Sequence, residues 1–248
     1  MKAMILAAGL GTRLRPLTDD RPKALVEVCG RTLLEITICR LRAFDVREAI
    51  VNTHHFAEMV EDYLKANGNF GMRIEISHEE ALLDTGGGLR KTAWFFLEDE
   101  TDEPFLVHNV DVMSTIDLGQ MVRFHREQHA LATLAVQQRE SSRYLLFDAQ
   151  GQLCGRRAGR DGQIEWARPC EAPEALAFCG VHVISPRLFT LIREEGAFSI
   201  IAAYLGLAAR GEKIVAFPIG DAYWRDLGRP AAIEEAERDV ASGIYAGS

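Results

Sequence analysis

The chain has 248 residues, 48% of them hydrophobic, which is enough for one domain with a sizeable core, although length alone would also allow two. Its net charge of −8 excludes a general nucleic-acid binder, so an anionic ligand would need a local cluster of positive groups. Five cysteines (Cys29, Cys39, Cys154, Cys170, Cys179) form no C-x-x-C pair and read as reduced thiols of a cytoplasmic protein. The first apolar run, residues 3–7, is too short for a signal peptide or a membrane span. No internal repeat, low-complexity tract or linker stands out.

In chain order, the run 3–7 predicts one buried strand. It breaks into Ala8-Gly9-Leu10-Gly11-Thr12-Arg13-Leu14-Arg15-Pro16-Leu17-Thr18, with Pro22-Lys23 after four more residues. Two glycines and a small alanine allow a tight turn whose unpaired N–H groups converge on one concavity, a nest suited to phosphate oxygens. Arg13 adds a fork-shaped donor and Lys23 a compact ammonium. A dinucleotide-binding loop is disfavoured because Leu14 stands where a third small residue is wanted. A Walker loop is disfavoured because Gly11 is followed by Thr12-Arg13. A plain turn is the remaining competitor for a lone Gly-x-Gly.

Residues 24–28 look extended, and Gly30 turns the chain. Thr32 with Glu35 three residues on forms a capping box for a helix with Leu33, Leu34, Ile38 and Leu41 on its apolar side. A buried strand is expected over 48–52, a helix over 56–66 and an alternating strand over 72–77. This β–loop–α–β–α–β rhythm is that of an open α/β sheet, whose ligands bind at the C-terminal strand ends.

Leu83-Asp84-Thr85-Gly86-Gly87-Gly88 then leads into a helix, and its glycines would let a flat ring approach the backbone. A flexible linker is the alternative. The apolar strand 104–112 carries Asn109 and Asp111 at its end, and a carboxylate there calls for a metal ion or a basic group. A polar helix is expected over 117–129, with His125 and His129 read as solvated, and a strand over 130–137. Residues 144–154 read as a hairpin. The basic segment 156–173 (Arg156, Arg157, Arg160, Arg168) is read as a surface loop, with a lid or an oligomer contact as alternatives. A strand over 177–185 contains Gly180, Pro186 opens a helix, and Trp224-Arg225-Asp226-Leu227-Gly228 precedes a last helix over 230–241.

The string Leu6-Ala7-Ala8-Gly9-x-Gly11-Thr12-Arg13-Leu14-x-Pro16-Leu17-Thr18 with Pro22-Lys23 closely resembles the signature of the sugar-1-phosphate nucleotidylyltransferases, or nucleotide-sugar pyrophosphorylases. The later motifs follow in order, so the resemblance covers nearly the whole chain. It implies a single Rossmann-like α/β domain over 1–248, with a mixed, mostly parallel sheet flanked by helices, as in GT-A-like nucleotidyltransferases. It implies the reaction NTP + sugar 1-phosphate → NDP-sugar + pyrophosphate.

The resemblance also distributes roles. Ala8, Gly9, Gly11, Thr12, Arg13 and Lys23 would hold phosphates, with Asp84, Gly86 and Gly87 at the base. Asn109 and Gly180 would meet the sugar. Asp111 and Asp226 would hold Mg²⁺, and Arg13, Lys23, Asp111 and Asp226 would carry catalysis. An acidic residue at 84 resembles the small N-acetylmuramate 1-phosphate uridylyltransferase branch and points to UTP. Two departures stand against the pattern. Val110 replaces a usual Gly, and Ser199 stands near the place where that branch would have Lys, which argues against N-acetylmuramate as the sugar. The expected partners are the two substrates, with no nucleic acid and no membrane, in a cytoplasmic monomer or dimer. Two other readings remain open: a sensor that binds nucleotide without turnover, and an NAD-type oxidoreductase.

Overall fold

The computed structural model describes residues 1–158 and 162–245. Strand β1 (Lys2–Leu6) opens the chain, and a small hairpin follows, β2 (Glu27–Val28) and β3 (Arg31–Thr32). Next come α1 (Leu33–Ala43), β4 (Glu48–Thr53), α2 (Ala57–Ala66), β5 (Arg73–His78), α3 (Asp84–Lys91) and α4 (Ala93–Leu97). The middle holds β6 (Phe105–Asn109), β7 (Val112–Ser114), α5 (Leu118–Gln128), β8 (Ala132–Gln137), β9 (Arg143–Phe147), β10 (Leu153–Ala158) and β11 (Gln163–Trp166). The chain ends with β12 (Glu174–Ile184), α6 (Leu188–Leu191), α7 (Ile200–Ala209), β13 (Ile214–Pro218), β14 (Trp224–Asp226) and α8 (Pro230–Ala241). Among the described residues no helix is long and apolar enough to cross a membrane.

These elements fall into two compact units. The first comprises Met1–Leu82, Val107–Ile116 and the described residues from Ala222 onward. Here β1 pairs parallel with β4, and β4 parallel with β5. Ala3, Met4, Ile5, Ala49, Ile50 and Val51 are fully buried. Such continuous burial is the mark of a parallel sheet covered on both faces. Thr32 caps α1 by accepting the Glu35 amide at 3.0 Å, but the expected box is only half made, because the Glu35 carboxylate accepts from Arg31 Nε at 2.9 Å and from the Tyr63 hydroxyl at 3.1 Å.

The second unit comprises Leu83–Leu106 and Asp117–Asp221. Antiparallel pairs β11–β10, β10–β9, β9–β12 and β12–β8 dominate it, with β13 parallel to β8. Stacked rings of Phe96 and Phe105, 3.9 Å apart, and of Phe105 and Phe189, 5.6 Å apart, fill part of its interior. The α/β class with a mixed sheet and flanking helices is the one expected.

Four local readings change. The strand expected over 104–112 stops at Asn109, and Val110 and Asp111 form a turn before β7 begins. The three glycines lie inside α3 rather than ahead of it. His125 is buried, not solvated, because it continues the inward stripe of Leu118, Met121 and Val122 on α5. His129 is exposed and ends that helix in a left-handed conformation. The basic segment is partly sheet, with Arg156 and Arg157 in β10, and Arg168 pairs with Asp148; Arg160 lies outside the described residues.

Candidate active site

The opening loop leaves β1 at Leu6 and is tied down at both ends. The Ala7 amide donates to Asn52 Oδ1 at 2.7 Å, and Asn52 is the register partner of Leu6 on β4. At the other end the Gly11 carbonyl accepts from Thr18 Oγ1 at 2.9 Å and from the Leu14 amide at 2.8 Å. Gly11 has a φ of 65°, and a Cβ there would lie 2.9 Å from Thr18 Cγ2, so the position requires glycine on two counts. Leu14 is fully buried and anchors the turn, while Thr12 and Arg13 are exposed. A Cβ on Gly9 would meet only open space, and Ala8 is nearly buried beside it.

Pro22 sets an extended backbone just before Lys23, which starts a short 3-10 turn. The Lys23 ammonium is ion-paired with Asp111 Oδ2. Of the metal ion or basic group that this carboxylate calls for, the structure shows the basic group. Asp111 sits in the turn after β6, held by two backbone bonds. The Val110 amide donates to the Leu6 carbonyl at 3.1 Å, and the Leu227 amide donates to the Asp111 carbonyl at 2.8 Å. Val110 is 3% exposed, so its side chain is packed in the interior of this unit.

β14 pairs antiparallel with β7, with Asp226 opposite Val112. That pairing and the Leu227–Asp111 bond bring positions 111 and 226 side by side on neighbouring segments. Because Asp111 lies in a turn, the alternation of strand faces does not assign its side chain to the far side. Asp226 Oδ1 accepts the Gly228 amide at 2.7 Å. A Cβ on Gly228 would lie 2.7 Å from Asp226 Oδ1 and 2.8 Å from Arg13 Nη2. The Arg13 guanidinium thus crosses the bare face of Gly228 beside the Asp226 carboxylate. Arg225 turns to α8 instead, donating to Asp239 Oδ2 at 2.6 Å from Nη2 and pairing with Glu235. Asp226 is therefore not spent on Arg225.

Asn109 closes β6, and its carbonyl lies 2.8 Å from Nδ1 of the preceding residue, His108. His108 is 1% exposed, and burial pushes its pKa down to about 4, so it is neutral at pH 7. Two carboxylates at adjacent positions, one already holding a cation, form an oxygen donor set of the kind Mg²⁺ takes. Among the described residues no cluster of three or more His, Cys, Asp or Glu gathers to hold a metal unaided. An ion here would complete its shell with phosphate and water.

The remaining predicted site residues belong to the second unit. Asp84 is exposed with a φ of 56°, and its Oδ1 accepts the Thr85 amide at 2.6 Å. The Gly86 and Gly87 amides both donate to the Phe198 carbonyl, at 2.9 and 3.3 Å. A Cβ on Gly86 would lie 2.3 Å from the Phe198 ring, and one on Gly87 2.2 Å from the Gly196 carbonyl oxygen. The flat ring that Gly86 admits in this structure is the chain's own, and Gly87 admits a backbone carbonyl. Gly180 lies in β12 within a register shift between Phe178 and His182, with a φ of 74°.

Two participants escape sequence reasoning. Asn52 reads there as the end of a strand, and Glu79 does not stand out, yet they are joined at 2.7 Å beneath the loop. The local signal is a polar residue near the end of the apolar strand β4 and another just after the alternating strand β5.

The Nucleotidyl transferase family matches residues 2–243. N-acetylmuramate alpha-1-phosphate uridylyltransferase of Caulobacter vibrioides is 36% identical over 248 residues, 96% of this chain and 96% of that protein. The mannose-1-phosphate guanylyltransferase catalytic subunit beta of Xenopus tropicalis is 30% identical over 93% of this chain, which spans 62% of that longer protein. Among solved structures, HddC from Yersinia pseudotuberculosis complexed with GMP-PN superimposes with a TM-score of 0.76 at 19% identity, over 96% of this chain and 99% of that one. The fold, the loop with its two basic residues and these likenesses agree: the chain belongs to the nucleotidyl transferase family and is an enzyme of that kind.

Proposed function

We propose that the chain transfers a nucleotidyl group from an NTP, with UTP first in preference, to a sugar 1-phosphate, giving NDP-sugar and pyrophosphate. The observation that carries this reading is the Lys23–Asp111 ion pair beside a loop tied at both ends. A cation and a carboxylate so held, beside a pre-fixed loop, suit the binding of a triphosphate and its ion. The preference for UTP rests on the name of the 36%-identical relative and on Asp84.

No side-chain nucleophile is needed. An oxygen of the sugar phosphate attacks the α-phosphorus, and the bond from that phosphorus to the bridging oxygen breaks, releasing pyrophosphate. Catalysis then consists of positioning and of stabilising charge as it develops. The backbone around Gly9, Gly11 and Thr12 receives phosphate oxygens. Arg13, lying across Gly228, binds the departing pyrophosphate with its fork of donors. Lys23 places its ammonium at the α-phosphoryl oxygens, and Asn109 at the end of β6 meets the sugar. Asp111 and Asp226 would hold Mg²⁺, which neutralises phosphate charge when bound.

The alternative of a sensor without turnover rests on Val110, as a residue that crowds the site, and on Ser199. The burial of Val110 removes the first ground. All five cysteines are free thiols, in keeping with work in the cytoplasm. A screen of four NTPs against a panel of sugar 1-phosphates, read by pyrophosphate release, tests the reaction. Binding of an NTP with no release for any pair would refute it.

A further inference from the structure

We propose that Asn52 and Glu79 are positioning residues for the opening loop, acting through the Ala7 amide. The inference rests on the reading of that loop as the triphosphate site.

The structure shows a three-part chain of hydrogen bonds inside the first unit. The Glu79 carboxylate accepts from Asn52 Nδ2 at 2.7 Å, and Asn52 Oδ1 accepts from the Ala7 amide at 2.7 Å. Asn52 is 3% exposed and Glu79 is 1% exposed. A buried carboxylate is costly without donors, and Asn52 Nδ2 is one that it has. Its backbone is fixed from two directions. The Glu79 amide donates to the Thr53 carbonyl at 2.7 Å, extending the β4–β5 ladder, and His54 Nδ1 lies 2.7 Å from the Glu79 carbonyl.

The chemistry of the chain permits one orientation. Asn52 Nδ2 only donates, and the Glu79 carboxylate oxygen accepts from it. Oδ1 then faces Ala7, whose N–H can only donate. Turning the amide over would set oxygen against oxygen at one end and N–H against N–H at the other. Glu79 therefore acts as an orienting group for Asn52, and Asn52 fixes the first residue of the loop.

Two consequences follow for the ligand. The Ala7 N–H is withheld, so phosphate oxygens meet amides only from residue 8 onward. Because Thr18 fixes the Gly11 carbonyl, the span between Ala7 and Gly11 is held at both ends before any ligand arrives. Donors fixed in advance need no reorganisation on binding.

The test measures NTP binding rather than turnover. Asn52→Ala, Glu79→Ala, Glu79→Gln and Glu79→Asp in the whole chain are titrated with UTP and GTP by calorimetry, and melting temperatures are recorded. Asn52→Ala and Glu79→Ala should each weaken binding by about 10-fold, the scale of one lost hydrogen bond. The double Ala variant should be no weaker than either single one. Glu79→Gln keeps an acceptor within reach of Nδ2 and should stay within about 3-fold of wild type. Glu79→Asp keeps the charge but withdraws the acceptor, and should bind more weakly than Glu79→Gln. That order separates orientation from simple charge, and it survives if Asn52→Ala does not fold. A folded Asn52→Ala with wild-type affinity, or Glu79→Asp binding better than Glu79→Gln, overturns the inference. So do losses that follow melting temperature alone. A wild-type chain that binds UTP or GTP without releasing pyrophosphate counts against the reaction only. One that binds neither overturns both readings.

Discussion

Lys23 and Asp111, 88 positions apart in the chain, meet in an ion pair whose side chains keep only 12% and 16% of their exposure. The pair joins the segment after the opening loop to the turn after β6. Lys23→Ala should lower kcat by about 10²–10³-fold, the scale of one donor aimed at developing negative charge. It also strips a little-exposed carboxylate of its counter-charge, at a cost of about 1–3 kcal/mol in stability. Mg²⁺ should recover part of that melting temperature in Lys23→Ala and none in Asp111→Ala. A change confined to KM for the NTP would reassign Lys23 to ground-state binding.

Gly228 should be as sensitive as the charged residues around it. A methyl group there meets the Asp226 carboxylate and the Arg13 guanidinium, and the guanidinium is the one that can move. Gly228→Ala is expected to fold with a melting temperature close to wild type. Its kcat/KM should fall by about 10-fold or more, as suits a displaced group of the site. Arg13→Lys should not restore the wild-type rate in the loop, because an ammonium does not reproduce the fork. Steady-state kinetics beside thermal melts checks both. Wild-type kinetics for Gly228→Ala would remove Arg13 from the site.

Two buried histidines set a pH dependence of stability. Burial pushes His108 and His125 down to about 4 from the ordinary 6.5. His125 Nδ1 lies 2.9 Å from Thr133 Oγ1, and the neighbouring Arg126 adds to the downward shift. The unfolded chain binds these protons near pH 6.5 and the folded chain does not. Stability is therefore complete above 6.5 and falls as pH drops towards 4, by about 1.4 kcal/mol per pH unit for each histidine. Denaturant titrations at pH 7, 6 and 5 should show it. His125→Gln should remove one proton from the slope, and an unchanged slope would contradict its buried neutral state.

The sequence carries much of this because its chemistry is written in short strings. An apolar run, two glycines, Arg13 and Lys23 lie within two dozen residues, Asp111 follows a recognisable strand, and Asp226 sits in the string Trp224-Arg225-Asp226-Leu227-Gly228. What it conceals is long-range. Nothing near Glu79 says that its carboxylate lies under Ala7, 72 positions away, since a single polar residue after a strand looks like any loop entry. The burial of His125 is hidden for a different reason. Its helix is polar in composition, and only the 3.6-residue period places that one ring inward. The break of β6 at Val110 was invisible because Val favours strands, and it is the Leu6 carbonyl and the chain after Asp226 that bend it.

Val110→Gly tests the packing side of the same turn. The side chain is buried, so its loss should cost about 1 kcal/mol or more through a cavity and added backbone freedom. The range of sugar phosphates accepted should hardly change. A broader range at an unaltered melting temperature would place Val110 in the substrate site.

If the tied opening loop, Lys23 and two carboxylates serve a metal-dependent nucleotidyl transfer, as proposed, turnover needs both the ion and each carboxylate. Pyrophosphate release from UTP and a sugar 1-phosphate, measured with Mg²⁺, with EDTA, and with Asp111→Ala and Asp226→Ala, tests it most directly. The account predicts turnover with Mg²⁺ that EDTA abolishes, and the loss of most of it in either variant while both remain folded. The two losses should combine far from additively, since both serve one ion. Full activity in EDTA, or near-wild-type rates in either variant, would contradict the account.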